Sequence, residues 1–207
     1  MPTNNEHIKK AADYLSDKYE GHSVILYGSY ANGDYTEESD LDLMIFSDFN
    51  FKRNDTSRID GLLLDAWIHP TSSMDDPARF LHIHDGVIVS DSRGLAAPFL
   101  KKIQSIFAEG PGKLGPEEAD FQKAWLQKML KRAGKGDAEG DFRYHWMLTD
   151  SLEIYFKLKG RWYWGPKKSL RWLERHEPGT YLLFRKALSP LAGQEDVSEL
   201  IRHIVES

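Results

Sequence analysis

Three observations predict an α/β fold of the segregated (α+β) kind, with a mixed sheet flanked by helices and then a helical bundle. Apolar strand-like runs are confined to the first half, at residues 22–27, 41–46, 62–69 and 86–90. These signals stop before residues 109–116 (EGPGKLGP), which hold three glycines and two prolines in eight positions and read as a linker. Beyond it, apolar residues recur at helical rather than alternating spacing. The predicted domains are therefore 1–110 and 111–207.

Taken in order, Ile8, Ala11, Ala12, Leu15 and Tyr19 predict an amphipathic helix that packs on a sheet and ends near Gly21. Residues 22–27 read as a strand, residues 28–33 as a turn and short helix, and residues 41–46 as the next strand. Residues 47–60 are polar, and Arg53, Asn54, Asp55, Thr56 and Ser57 predict an exposed loop. In residues 61–70 (GLLLDAWIHP), Leu63, Asp65, Trp67 and His69 share one strand face opposite Leu62, Leu64, Ala66 and Ile68. An aspartate in so apolar a strand is costly unless it is paired, bound to a metal, or turned to water on an edge strand. Asp75 and Asp76 before Pro77 mark a helix start, residues 86–90 a strand, and residues 95–107 a helix. His82, His84 and Asp85 make an H-x-H-D run without further ligands, which reads as a surface turn rather than a metal site.

In the second half, Phe121, Trp125 and Met129 form one helical stripe, and a glycine-rich break follows at residues 134–140. The helix at 142–158 aligns Phe142, Trp146, Thr149, Glu153 and Phe156 in one row. Glu153 is conspicuous there. It is either a functional carboxylate or the ion-pair partner of Lys157, four residues on. Basic residues including Lys159, Arg161, Lys167, Lys168 and Arg171 surround Trp162, Tyr163 and Trp164. Such a segment either grips a triphosphate and stacks a base, or is a solvated helix face over core aromatics. Residues 180–188 and 194–205 read as helices that complete the bundle.

The chemistry concentrates in residues 24–46, VILYGSYANGDYTEESDLDLMIF. A strand ends at Gly28 and Ser29, where glycine lets the backbone turn sharply and approach a ligand, and a helix start would offer N–H groups to phosphate. Ten residues later Asp40 and Asp42 stand two apart and project from one face. Two hard carboxylates side by side suit a divalent cation such as Mg²⁺.

Gly28 and Ser29, the ten-residue spacer and Asp40-Leu41-Asp42 resemble the signature of the DNA polymerase β-type nucleotidyltransferase superfamily. Ala31-Asn32-Gly33-Asp34 and Ser39 are similar to its small bacterial antibiotic-modifying and minimal members. The resemblance implies a catalytic domain at 1–110 and a helical domain at 111–207 that closes over substrate and nucleotide. It implies Asp40, Asp42 and Asp65 as ligands of Mg²⁺, two ions in all, with ATP or another NTP as co-substrate. Gly28 and Ser29 would hold the β- and γ-phosphates, and Lys167 or Lys168 matches a lysine that helps to hold the triphosphate. The general base would be Asp65 or a helical carboxylate such as Glu153. The expected reaction moves a nucleoside monophosphate, AMP in the first instance, to a hydroxyl of a small molecule such as an aminoglycoside- or lincosamide-like compound. A protein acceptor, as in antitoxin-type enzymes, and a non-catalytic nucleotide- or partner-binding module are the alternatives. Arg171 and His176 also resemble the R-x4-H ribonuclease motif of HEPN domains, but Trp172 stands where that motif has a polar residue, which argues against nuclease activity.

Composition sets the remaining bounds. With 207 residues, 41% hydrophobic and 12% aromatic, the chain can build a substantial core. It has no cysteine, so a metal would be held by carboxylates or histidines. Residues 1–110 carry net charge −8 and residues 111–207 net +3. This division suits a magnesium triphosphate, whereas a strongly basic stripe is the mark of nucleic-acid binding, so polynucleotide substrates are disfavoured. The absence of a long apolar run and the polar start MPTNNEHIKKAADYL lead us to expect a cytoplasmic protein without a membrane anchor. Association into homo-oligomers is left open.

Overall fold

A computed structural model describes residues 4–207, and the first three residues of the polar N-terminal stretch lie outside the described residues. Contacts divide the chain into two compact units, Met1–Glu109 and Gly110–Ser207.

The first unit is a mixed sheet between helices. Helix α1 (Asn4–Tyr19) leads into β1 (Gly21–Leu26), the short α2 (Gly28–Asn32) and β2 (Leu41–Ser47). Strands β3 (Arg53–Asp55), β4 (Arg58–Ile59), β5 (Leu62–Pro70) and β6 (Val87–Asp91) follow, and α3 (Ala96–Glu109) ends the unit. The strand order is β3-β5-β2-β1-β6, with β4 added to β5. Among the described residues only β2 and β5 run parallel; the other pairings are antiparallel. Two short 3-10 segments, Thr71–Asp75 and Pro77–Ile83, lie between β5 and β6, where Asp76 precedes Pro77.

The two-residue repeat of the strands sorts their side chains into two cores. On one face Val24, Leu26, Leu41, Leu43, Ile45, Leu64, Ala66 and Ile68 pack against Ala11, Ala12 and Leu15 of α1. On the other, Ile25, Tyr27, Met44 and Phe46 pack with Phe80 and Ile83 and with Phe99, Leu100 and Ile103 of α3. Asp91 secures the start of α3 by accepting hydrogen bonds from the Leu95 and Ala96 backbone N–H groups, 3.1 and 2.9 Å. Carboxylates that meet free N–H groups in this way act as helix caps.

The segment expected as an exposed loop, residues 47–60, contains β3 and β4 instead. Asp55 explains why. Its side chain is buried and accepts from Lys18 Nζ (2.8 Å), Tyr19 hydroxyl (2.7 Å) and the Ser57 backbone N–H (2.9 Å), tying a polar stretch to α1. β5 is thus covered on both edges, by β2 and β3, so Asp65 is not on an edge strand.

The second unit is a helical bundle of α4 (Pro116–Ala133), α5 (Ala138–Leu158), α6 (Gly165–His176), α7 (Pro178–Ala187) and α8 (Gln194–Glu206). Its core includes Leu126, Met129, Leu148, Leu152, Tyr155, Leu173, Phe184 and Leu200. The row expected to form the apolar face of α5 turns outward over most of its length: Phe142 and Trp146 are 67% and 44% exposed. The face that packs is built from Leu148, Ser151, Leu152 and Tyr155, whose spacing follows the same period one step around the helix. Phe121 is likewise exposed on α4, while Met129 is buried. Among the described residues no helix is long and apolar enough to cross a membrane.

Candidate active site

Strand alternation places Asp42 and Asp65 on the sheet face that carries Met44, Phe46, Trp67 and His69. In the parallel β2–β5 pair the residues stand in register, Asp42 against Asp65, Met44 against Trp67 and Phe46 against His69. Two carboxylates on adjacent central strands are thus aimed the same way.

Gly28 lies directly against the first of them, Asp42. Its φ of +70° is a left-handed conformation that glycine adopts without penalty. A Cβ built on it would fall 2.0 Å from Asp42 Oδ2 and 2.7 Å from Asp42 Cγ, so the carboxylate occupies the space a side chain would take. The preceding Tyr27 N–H donates to the Asp42 carbonyl at 3.1 Å, which locks the turn to β2. The turn then closes locally, with the Asp34 N–H donating to the Ser29 carbonyl at 2.9 Å.

Tyr27 is a member of this site that its apolar strand context concealed. Its side chain is 9% exposed, and burial, followed by the nearby carboxylates of Asp42 and Asp65, pushes its phenol well above the usual range. Asn54 is a second. Its Nδ2 donates to Asp65 Oδ1 at 2.5 Å, which fixes one oxygen of that carboxylate. Asn54 sits in the polar segment that forms β3, where the sequence carries no strand signal.

Asp40 occupies the exposed turn that enters β2. Among the described residues no group of three or more His, Cys, Asp or Glu side chains is gathered closely enough to hold a metal ion. The Asp42–Asp65 pair nonetheless fits a hard divalent cation: both donors are carboxylates, they stand in register, and the bare Gly28 Cα leaves Asp42 the room its carboxylate occupies. His82 and His84 part company. His82 meets the Tyr27 ring edge-on at 5.6 Å, and His84 stacks on Phe107 at 3.6 Å.

Next to the carboxylates on the same face is a cavity of about 540 Å³, lined by Tyr27, Met44, Lys52, Trp67, His69 and Arg79 among others. Burial first, and then the positive charges of Lys52, His82 and Arg79, lower the pKa of His69 to about 4. Its imidazole is therefore neutral at physiological pH.

The remaining expected residues belong to the second unit. Glu153 forms an ion pair with Lys157 at 2.7 Å, the local partner its i,i+4 spacing offers. Lys167 and Lys168 lie in the first turn of α6, Lys167 exposed and Lys168 half-buried. Part of the neighbouring aromatic and basic segment is structural: Arg161 pairs with Glu177 and lies 4.2 Å from the Trp172 ring centre, and Trp172 packs against the core. His176 stacks on Trp172 and contacts its carbonyl at 2.9 Å.

Residues 8–108 match the family model of the nucleotidyltransferase domain. Two Methanocaldococcus jannaschii proteins provisionally named protein adenylyltransferases are similar to part of the chain. One is 52% identical over 46 residues, which cover 21% of this chain and 46% of the relative. The other is 49% identical over 45 residues, covering 22% and 45%. The chain thus spans less than half the length of these curated relatives. A solved nucleotidyltransferase-like protein from Exiguobacterium sibiricum aligns with 99% of this chain and 75% of its own length, at 11% identity and a TM-score of 0.47.

Proposed function

We infer from a chain whose residues 8–108 belong to the nucleotidyltransferase domain family, within the DNA polymerase β-type superfamily, that it moves AMP from ATP to a hydroxyl group. The observation that carries this reading is the packing of the Gly28 backbone against Asp42, with Asp65 opposite on the next strand. A turn suited to phosphate packs on one carboxylate of the pair, and this supports the reading.

In the proposed reaction Gly28 and Ser29 hold the β- and γ-phosphates by backbone N–H and hydroxyl donation. Asp42, Asp65 and Asp40 are the residues that would hold Mg²⁺, two ions as the family resemblance implies. When bound, Mg²⁺ neutralises triphosphate charge and makes the acceptor hydroxyl easier to deprotonate. The acceptor oxygen attacks the α-phosphorus, a new O–P bond forms, the α–β bridging P–O bond breaks, and pyrophosphate departs. Asp65 takes the hydroxyl proton. It is a better base candidate than Glu153, whose carboxylate is already paired with Lys157. Asn54 holds Asp65 in orientation through Oδ1.

The acceptor is proposed to be a small hydroxylated molecule, the class the sequence resemblance suggests. The name of the two archaeal relatives supports a second reading, a protein hydroxyl. Both are tested together. The purified protein, Mg²⁺ and α-labelled ATP are incubated with an antibiotic panel and, separately, with cell lysate. Label on a small molecule supports the first reading and label on a protein band the second. Asp42→Ala should abolish either product, and undiminished labelling by this variant would sink the assignment.

A further inference from the structure

The cavity beside the carboxylates has the opposite electrostatic character. Among the described residues no aspartate or glutamate lines it, whereas Lys52 and Arg79 both do. Among the described residues, neither cation is in an ion pair with a carboxylate. Lys52 Nζ stands 4.7 Å from the centre of the Trp67 ring, so charge and a flat aromatic wall are combined at one point. Phe51 and Phe80 add further apolar lining. Three of the influences that keep His69 neutral, after burial, are positive charges, and none is a carboxylate. Tyr27 lines the cavity and also feels Asp42 and Asp65, so the space opens beside the reacting centre rather than away from it.

We propose that this cavity is the acceptor's specificity pocket, and that it takes a planar group bearing a negative charge while refusing polycations. The inference rests on the transfer reaction above and names the substrate class of that site. The planar body stacks on Trp67 in place of the Lys52 ammonium, which turns to meet the anion together with Arg79. A charge-assisted contact of this kind is stronger than a neutral one, and removing either cation weakens it. A polycation such as an aminoglycoside would face both positive charges with no acid in the lining to offset them. The reading therefore narrows the acceptor away from the aminoglycoside-like class and toward acidic hydroxyl compounds.

Binding is tested on the full chain by NMR, without nucleotide or Mg²⁺, following the indole N–H of Trp67. The probes are 4-hydroxybenzoate (planar anion), 4-hydroxybenzyl alcohol (neutral) and tyramine (cation). 4-Hydroxybenzoate should give saturable shifts, the alcohol weaker ones and tyramine none. Lys52→Ala and Arg79→Ala, both at exposed positions, should each raise the Kd for 4-hydroxybenzoate about tenfold. The proposal is overturned if 4-hydroxybenzoate does not bind, if tyramine binds as tightly, or if neither substitution weakens the anion. Displacement of the probe by adenosine would assign the cavity to the nucleobase and also overturn it. Because no transfer is read, a chain that binds the anion but never adenylylates defeats only the proposed reaction. Transfer without anion binding defeats only this inference.

Discussion

The Gly28 Cα faces the Asp42 carboxylate so closely that a methyl group there would lie 2.0 Å from Oδ2. Gly28→Ala therefore meets two penalties, the cost of φ +70° for a residue with a Cβ, about 1–2 kcal/mol, and the displacement of Asp42. A misplacement on the order of 1 Å in a reacting site costs roughly a hundredfold in rate. Melting and ATP turnover measured side by side should show a modest loss of stability and a loss of activity about that large.

Asn54→Ala removes the side-chain amide that donates to Asp65 Oδ1. We expect kcat to fall by roughly tenfold, as is common when an outer-shell partner of a ligating or reacting group is lost. KM for ATP should change little, since the hydrogen bond that is lost is made to Asp65 rather than to Gly28 or Ser29, and steady-state kinetics would separate the two parameters.

Asp55 makes acid stability predictable in sign. Burial alone would raise its pKa, but hydrogen bonds from Lys18, Ser57 and Tyr19 outweigh it and hold the carboxyl below the usual range. A depressed carboxylate pKa contributes stability that is present above the unfolded value near 4 and is lost as pH falls through the folded one. Asp55→Asn should cost about 2 kcal/mol at pH 7, a value reduced by the 40% exposure of the Lys18 side chain. Denaturation curves should converge for the two proteins as pH falls below 4.

His69 acts over a different window. Its lowered pKa, about 4, means that the unfolded chain takes up the proton first, at its ordinary pKa near 6.5. Stability should therefore decline as pH falls from 6.5 to 4, by on the order of 1–2 kcal/mol given the partial exposure of the ring. His69→Gln should flatten that slope, and an NMR titration of the wild-type imidazole should show it neutral at pH 6.

The legibility of this chain follows from how local each signal is. The strands at residues 22–27 and 41–46 are apolar runs bounded by turn residues, and they form β1 and β2 with small changes at the ends. Strand β3 is three residues of Arg, Asn and Asp, with no propensity to announce it; Lys18 and Tyr19, 37 and 36 residues away, hold Asp55 in place. On α5 the expected and actual packing faces both satisfy a helical period, and the neighbours α4, α6 and α8 decide between them. Tyr27 read as the last apolar residue of a strand because nothing in its own segment says that two carboxylates will stand beside it.

By itself, the sequence determined α1, β1, β2, β5, β6 and α3 in their order, the glycine at the turn and the two-residue spacing of Asp40 and Asp42, since each depends on backbone geometry within a few residues. Only the tertiary structure decided that Asp65 stands in register with Asp42, that Asn54 orients it, and that Lys52, Arg79 and Trp67 share one cavity. Those relations depend on strand pairing and on packing between segments far apart in the chain, where a one-residue slip would turn every side chain to the opposite face.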